Sequence, residues 1–247
     1  MNGKLKLGLT LFVLGFLGVL TMLTVTLPLG DLPEQIAQLP PFAIKLLTLV
    51  QPIIFLSIAV VVGTALYDKV SLTVPTISSL LKIERPQISF VQQIKYGVLF
   101  GLLAGILIVF IAFIFEMLLP EEFEALENKV ELTLLARLGY GGIVEELLLR
   151  FGFMTFVVWV ISKLTKNLND IIYWIGIVLS TILFAVGHFP VVYASVSQPS
   201  FLLLTYILIG NSVGGLILGW LYWKKGLETA IIAHAFTHVA MVSIKCM

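Results

Sequence analysis

Residues 141–150 read Gly-Gly-Ile-Val-Glu-Glu-Leu-Leu-Leu-Arg, two adjacent carboxylates and a guanidinium in an otherwise apolar stretch. Two more polar constellations follow. "STILFAVGHFP" (180–190) sets Ser180, Phe184 and His188 four apart, and "AIIAHAFTHVA" (230–240) sets His234 and His238 four apart. Carboxylates and imidazoles are the side chains that most often carry protons in catalysis, and imidazole is also a common metal ligand. Helix geometry separates the two glutamates. At about 100° per residue, Glu146 and Arg150 lie about 40° apart, in the favourable acid-before-base order. Glu145 and Arg150 lie about 140° apart. The expected division is that Glu146 neutralises Arg150, while Glu145 faces a neighbouring helix or a water-filled cavity. A pair that merely pins helices is the bland account of Glu146 and Arg150. It is weaker for Glu145, which has no basic residue left nearby.

The histidines admit similar alternatives. A lone histidine on an apolar face is more often a satisfied core residue than a catalytic one. In hydrocarbon, however, the ring nitrogens of His188 must find partners, and Pro190 places it near a helix break where water can enter. His234 and His238 point the same way, a spacing that suits metal ligation or paired hydrogen-bond donors, and equally suits interhelical glue.

These residues sit in a lipid-like composition. Of 247 residues, 59% are hydrophobic and 12% charged, with a mean hydropathy of +1.08. Soluble domains average about 25% charged residues, so the chain reads as an all-α, polytopic transmembrane bundle. With a net charge of +1 and no basic run, nucleic acid is not an expected partner. Cys246, the single cysteine, excludes an internal disulfide and a cysteine-based metal cluster. It stands second from the end, whereas a prenylation box needs its cysteine fourth from the end, so the chain is not expected to be such a lipidated substrate itself.

Spans of roughly 20 apolar residues can be placed near 7–29, 42–66, 97–119, 134–162, 171–188, 200–223 and 228–244. The first is too long for a signal-peptide core and lacks a cleavage site, so it is expected to be a span. An eighth span or a re-entrant piece would alter the count. The polar stretch from Asp68 to Lys95 is expected to be an amphipathic helix lying on the membrane surface. The chain then divides into N-terminal spans with that cytoplasmic connection (1–95) and a core (96–247). Lys4, Lys6, Lys69, Lys82, Arg85, Lys95, Lys163, Lys166, Lys224 and Lys225 all fall on one side, opposite Asp31, Glu34, Glu121, Glu122, Glu124, Glu127 and Glu131 with Lys129. The positive-inside rule then puts the N-terminus in the cytoplasm.

Ionisable groups deep in a bilayer are costly and usually functional. Here they are Glu116, Arg137, Glu145, Glu146, Arg150 and every histidine: His188, His234 and His238. In the sixth span, Gly210 with Gly214 and Gly215 with Gly219 form GxxxG spacings that allow close helix approach. Asn211 and Ser212 are expected to serve helix packing there.

Glu-Glu-x-x-x-Arg at 145–150, Phe-x-x-x-His at 184–188 and His-x-x-x-His at 234–238 together resemble the CPBP family of intramembrane proteases, the CAAX-type and bacteriocin-processing (Abi) proteins. The resemblance covers about residues 95–245. One position departs: His238 stands where the family usually has Asn. The resemblance implies intramembrane endopeptidase activity on a membrane-associated peptide or protein, lipidated or not. By the same resemblance Glu145 activates a water, His188 helps hold it, and His234 with His238 stabilises the oxyanion, Glu146 and Arg150 supporting them. The physics agrees. A glutamate taken out of water is a better base near neutral pH, and fixed donors in a dry site stabilise developing charge by about 3–4 kcal/mol each.

Two other classes compete. A proton- or ion-coupled transporter would use the Glu/His cluster as a relay, but the chain shows no repeat symmetry. An inactive scaffold would have no need of Glu145, His188 and His234. On cofactors the expectation leans to none, with zinc held by His188, His234 and His238 as the alternative. One mismatch stands out. By helix rise, His188 lies about 27 Å from the cytoplasmic end of its span and His234 about 10 Å from the same end. They meet only if "RLGYGG" (137–142) breaks the fourth span, if Gly226 opens a deep turn, or if a helix tilts.

Overall fold

Without water to satisfy it, a backbone crossing hydrocarbon must bond to itself, and the apolar runs fold accordingly as helices. The structure, a computed structural model, describes residues 2–26, 36, 38–86, 88–129 and 132–245. The end of the expected first span (27–29), Asp31, Glu34, Glu131 and Cys246 lie outside the described residues. Among the described residues there is no β-strand. Among the same residues seven helices are long and apolar enough to cross a membrane: Gly3–Thr24, Pro41–Val70, Phe90–Leu118, Leu134–Thr165, Asp170–Ser195, Phe201–Lys225 and Leu227–Ile244. The chain is an all-α, multi-pass membrane bundle. The third to sixth spans start where the chain supplies an N-cap acceptor. Ser89, Thr133, Asn169 and Ser200 accept from the backbone N–H of Gln92, Ala136, Ile172 and Leu203.

The fourth span lies at the centre, packed against the first, second, fifth and seventh. The third span turns Leu99, Ile106, Phe110 and Phe113 outward, each more than half exposed. Its other face carries Gly97, Gly101 and Gly105, four apart, against the seventh span. A side chain at 101 would press on the Ala233 carbonyl, and one at 105 would come within 2.6 Å of Ala240 Cβ. We therefore expect Gly101→Ala to cost about 1–3 kcal/mol, seen as a lowered melting temperature in detergent. Gly210→Ala, whose added carbon meets only Tyr206 at 3.9 Å, should stay within about 0.5 kcal/mol of wild type. Equal effects would contradict this packing.

The sixth-span glycines divide. Gly215 and Gly219 do approach the fifth span closely, with added carbons 2.7 Å from Thr181 and 2.9 Å from Ile177. Gly210 and Gly214 do not. They line a cavity, where an added carbon would meet only Tyr206 at 3.9 Å or Ile108 at 3.7 Å. Asn211 likewise makes no interhelical bond: its amide donates to the Ile207 carbonyl of its own helix at 2.8 Å.

The connection after the second span is not the amphipathic surface helix expected. It contains one short helix, Pro75–Leu80, and Val70, Leu72 and Val74 beside it are buried in the main core. This segment holds the start of the seventh span inside the protein. Leu227 N–H donates to the Thr73 carbonyl at 3.1 Å, and Ile77 N–H donates to Glu228 Oε1 at 2.8 Å. Gly226 makes the entry turn at φ +91°, where any side chain would also strike Pro75. Leu227 and Thr229 are fully buried. The start of the seventh span is thus held within the protein, and His188 and His234 line one cavity despite their unequal distances along their helices.

The fourth span is not broken at 137–142. It widens instead: Arg137–Met154 forms a π-helix, with i→i+5 bonding. Such widening is uncommon beyond a single turn and recurs at functional sites. Two hydroxyls bond to its carbonyls, one from the fifth span and one from its own next turn. Ser180 Oγ donates to the Leu149 carbonyl at 2.9 Å, and Thr155 Oγ1 donates to the Arg150 carbonyl at 3.2 Å.

Candidate active site

Widening changes which side chains share a face. An i→i+5 helix advances by fewer degrees per residue than an α-helix, so Glu145 and Arg150 are not held 140° apart. Glu146 and Arg150, both fully buried, pair at 3.2 Å as their spacing predicts. Glu146 has a second partner that local spacing does not reveal. Its Oε1 accepts from His234 Nδ1 at 2.8 Å. The other nitrogen of the same ring, Nε2, lies 3.7 Å from Glu145 Oε2. His234 therefore sits between the two glutamates, and Glu145 does have a basic neighbour. Glu145 keeps 19% of its side chain exposed, toward the cavity.

Arg150 is held from three sides. Besides Glu146, its Nη2 donates to the Gly215 carbonyl at 3.4 Å, and its guanidinium stands 4.9 Å from the Phe184 ring. Phe184 meets His188 and His234 edge-on, with centroids 4.9 and 5.9 Å away. The helix break expected before Pro190 is present: the fifth span's first helix ends at Val186 and a second begins at Phe189. His188 stands in that break and its Nδ1 lies 2.8 Å from the Phe184 carbonyl. A carbonyl only accepts, so Nδ1 carries the proton and Nε2 of the neutral ring is free to accept.

His238 stacks on His234, centroids 5.0 Å apart and planes at 19°. Gly141 makes room for it, since a side chain at 141 would come within 2.6 Å of His238 Nε2. The nitrogens of nearly parallel rings do not aim at one point, and His234 Nδ1 is already bonded to Glu146. Among the described residues, no three His, Cys, Asp or Glu side chains are placed to hold a metal ion. As arranged, His188, His234 and His238 do not fit a three-histidine zinc site.

One cavity of about 260 Å³ is lined by Glu145, His188, His234 and His238 together, with Arg137, Tyr140 and Asn211. Glu146 and Arg150 lie behind its wall. Glu116 is exposed on the third span and does not line it. The residues that sequence reasoning passed over are Tyr140, Tyr206 and Gly141; polar or small groups in the middle of a span were the only hint they offered. Tyr206 joins the cavity to a roof. Its ring packs on Phe123 and Phe115 at 4.8 and 5.5 Å, and Phe123 belongs to the short helix Pro120–Lys129. Glu122 of that helix accepts from Ser200 N–H and Oγ, both at 2.7 Å.

Residues 128–240 match the family described as type II CAAX prenyl endopeptidase Rce1-like. No curated protein and no solved structure matches the chain significantly. The matched segment contains every side chain of the cavity named as candidate machinery, and the match does not favour the transporter alternative.

Proposed function

From a segment, residues 128–240, that belongs to the CAAX-type protease family, we propose that this membrane protein is an intramembrane endopeptidase in which Glu145 activates water. The observation that carries this is the shared cavity: one carboxylate and three imidazoles, from three spans, around a space of about 260 Å³. A water between Glu145 and His188 donates one hydrogen to each, because the His188 Nδ1 bond to Phe184 leaves Nε2 as acceptor. Its lone pair is then directed at the scissile carbonyl. Glu145 takes the proton as the C–O bond forms and returns it to the leaving amine as the C–N bond breaks. His234, oriented through Nδ1 by Glu146, donates to the oxyanion through Nε2 with both of its ring nitrogens protonated, and His238 beside it donates as well. Arg150 compensates the buried charge of Glu146. The substrate is a membrane-associated polypeptide. The test is incubation of the purified protein with a panel of peptides, a farnesylated CAAX peptide among them, followed by mass spectrometry. Cleavage of at least one peptide bond supports the proposal; none in the panel or in native membrane protein would sink it.

The reaction is metal-independent in this proposal, for the arrangement of the histidines gives each a task other than ligation. Metal analysis of active protein should find well under one zinc per chain, and chelator treatment should leave the rate largely unchanged. Stoichiometric zinc that disappears together with activity in His238→Asn would overturn this choice.

A further inference from the structure

The cavity lies toward one end of the bundle, and contacts between spans define both ends. At one end, Lys4 pairs with Asp68 at 2.7 Å, joining the start of the first span to the end of the second. There too Lys224 approaches Asp170 at 3.9 Å, and Lys225 stands 4.2 Å from the Tyr96 ring. At the other end, Thr24 and Thr133 share a hydrogen bond of 2.6 Å, and Glu122 holds Ser200. Lining runs from Leu132, Arg137 and Met241 at this second end inward to Leu218. No residue of the first end lines it.

Charge is divided between the same two ends. The first carries Lys4, Lys6, Lys69, Lys82, Arg85, Lys95, Lys163, Lys166, Lys224 and Lys225 against Asp68, Glu84, Asp170 and Glu228. The second carries Glu116, Glu121, Glu122, Glu124 and Glu127 against Lys45, Lys129, Arg137 and Lys245. An excess of Lys and Arg in short loops marks the cytoplasmic side, because such loops resist translocation. Every basic loop of the first end is short, so the rule applies with full weight.

We infer that the Glu145 cavity opens on the non-cytoplasmic side of the membrane, so that its substrates are polypeptide segments presented at the outer face. A polypeptide tail confined to the cytoplasmic face does not reach it. The choice of substrate rests on the proposed protease activity; the direction of opening does not.

Accessibility in intact cells tests the direction without any substrate. In a Cys246→Ser background, Leu132→Cys places a thiol at the cavity mouth and Asn167→Cys places one at the basic end. A membrane-impermeant maleimide should label Leu132→Cys in intact cells, and Asn167→Cys only after permeabilisation. The reverse pattern, or labelling of both from outside, overturns the inference. A C-terminal fusion gives the second readout, since the seventh span ends on the cavity side. Alkaline phosphatase fused there should be active and green fluorescent protein dark; the opposite overturns the inference even if neither cysteine reacts. The substrate class is read separately, by comparing membrane peptides of cells carrying wild type and Glu145→Gln. Wild-type-dependent cuts should fall in outer-face segments. Cuts in cytoplasmic tails would overturn that class, and no cuts at all would count against the protease itself while leaving the labelling result standing.

Discussion

Glu145→Gln is expected to reduce peptide cleavage by about a thousandfold or more, to background, in a protein that remains folded. A positioned general base contributes roughly 10²–10⁴ in rate, and glutamine keeps the shape of the side chain without its basicity. The site can tolerate the change. Glu145 is the glutamate that faces the cavity, and its 3.7 Å approach to His234 is too long for a hydrogen bond, so little packing or bonding is lost. The measurements are the cleavage rate on the best peptide of the panel and the melting temperature. A folded Gln variant that cleaves at near the wild-type rate would refute the assignment of Glu145 as base.

Glu146→Ala should fail in a different way. It strips a fully buried guanidinium of its counter-charge and removes the acceptor of His234 Nδ1. Breaking a buried pair from one side costs about 3–5 kcal/mol, which for a chain of this size corresponds to a melting temperature lower by roughly 10 °C. Replacing Arg150 by Met in the same protein should recover much of that loss, since the uncompensated charge is then gone. Activity should not recover with it, because His234 still lacks its orienting partner. A Glu146→Ala protein with wild-type stability would disprove the buried pairing. A stable and active double variant would show that Glu146 does not orient His234.

Much of the scaffold was legible in the chain because it follows from local rules. Apolar run length places seven spans, and the structure has seven helices long enough to cross a membrane. Spacing of four pairs Glu146 with Arg150, and the pair is present at 3.2 Å. The widened geometry of Arg137–Met154 was not legible. Nothing in the spacing of Glu145 and Arg150 distinguishes a π-helix from an α-helix, and the carbonyls of the widened stretch are bonded by Ser180 and Thr155, one of them on another span. The two GxxxG pairs illustrate the same limit. They are identical as patterns, yet one packs against the fifth span and the other leaves space for a cavity. Which occurs depends on the helices opposite.

The sequence by itself determined that this protein lives in a bilayer, how many helices are long enough to cross it, and the asymmetry of charge between its two ends. Each of these depends on residue type and near spacing, and so on transfer free energy and helix periodicity alone. Of the ionisable groups it placed inside, Glu116 is exposed, and it missed the buried Glu228. Only the tertiary structure decided that His234 stands between Glu145 and Glu146, that three histidines line one cavity with Glu145, and that the start of the seventh span is held inside the protein by Thr73 and Ile77. Those are contacts between residues far apart in the chain, 89 positions for His234 with Glu145 and 154 for Leu227 with Thr73. They are set by how the helices pack into one volume, and by a buried segment after the second span that holds the start of the last.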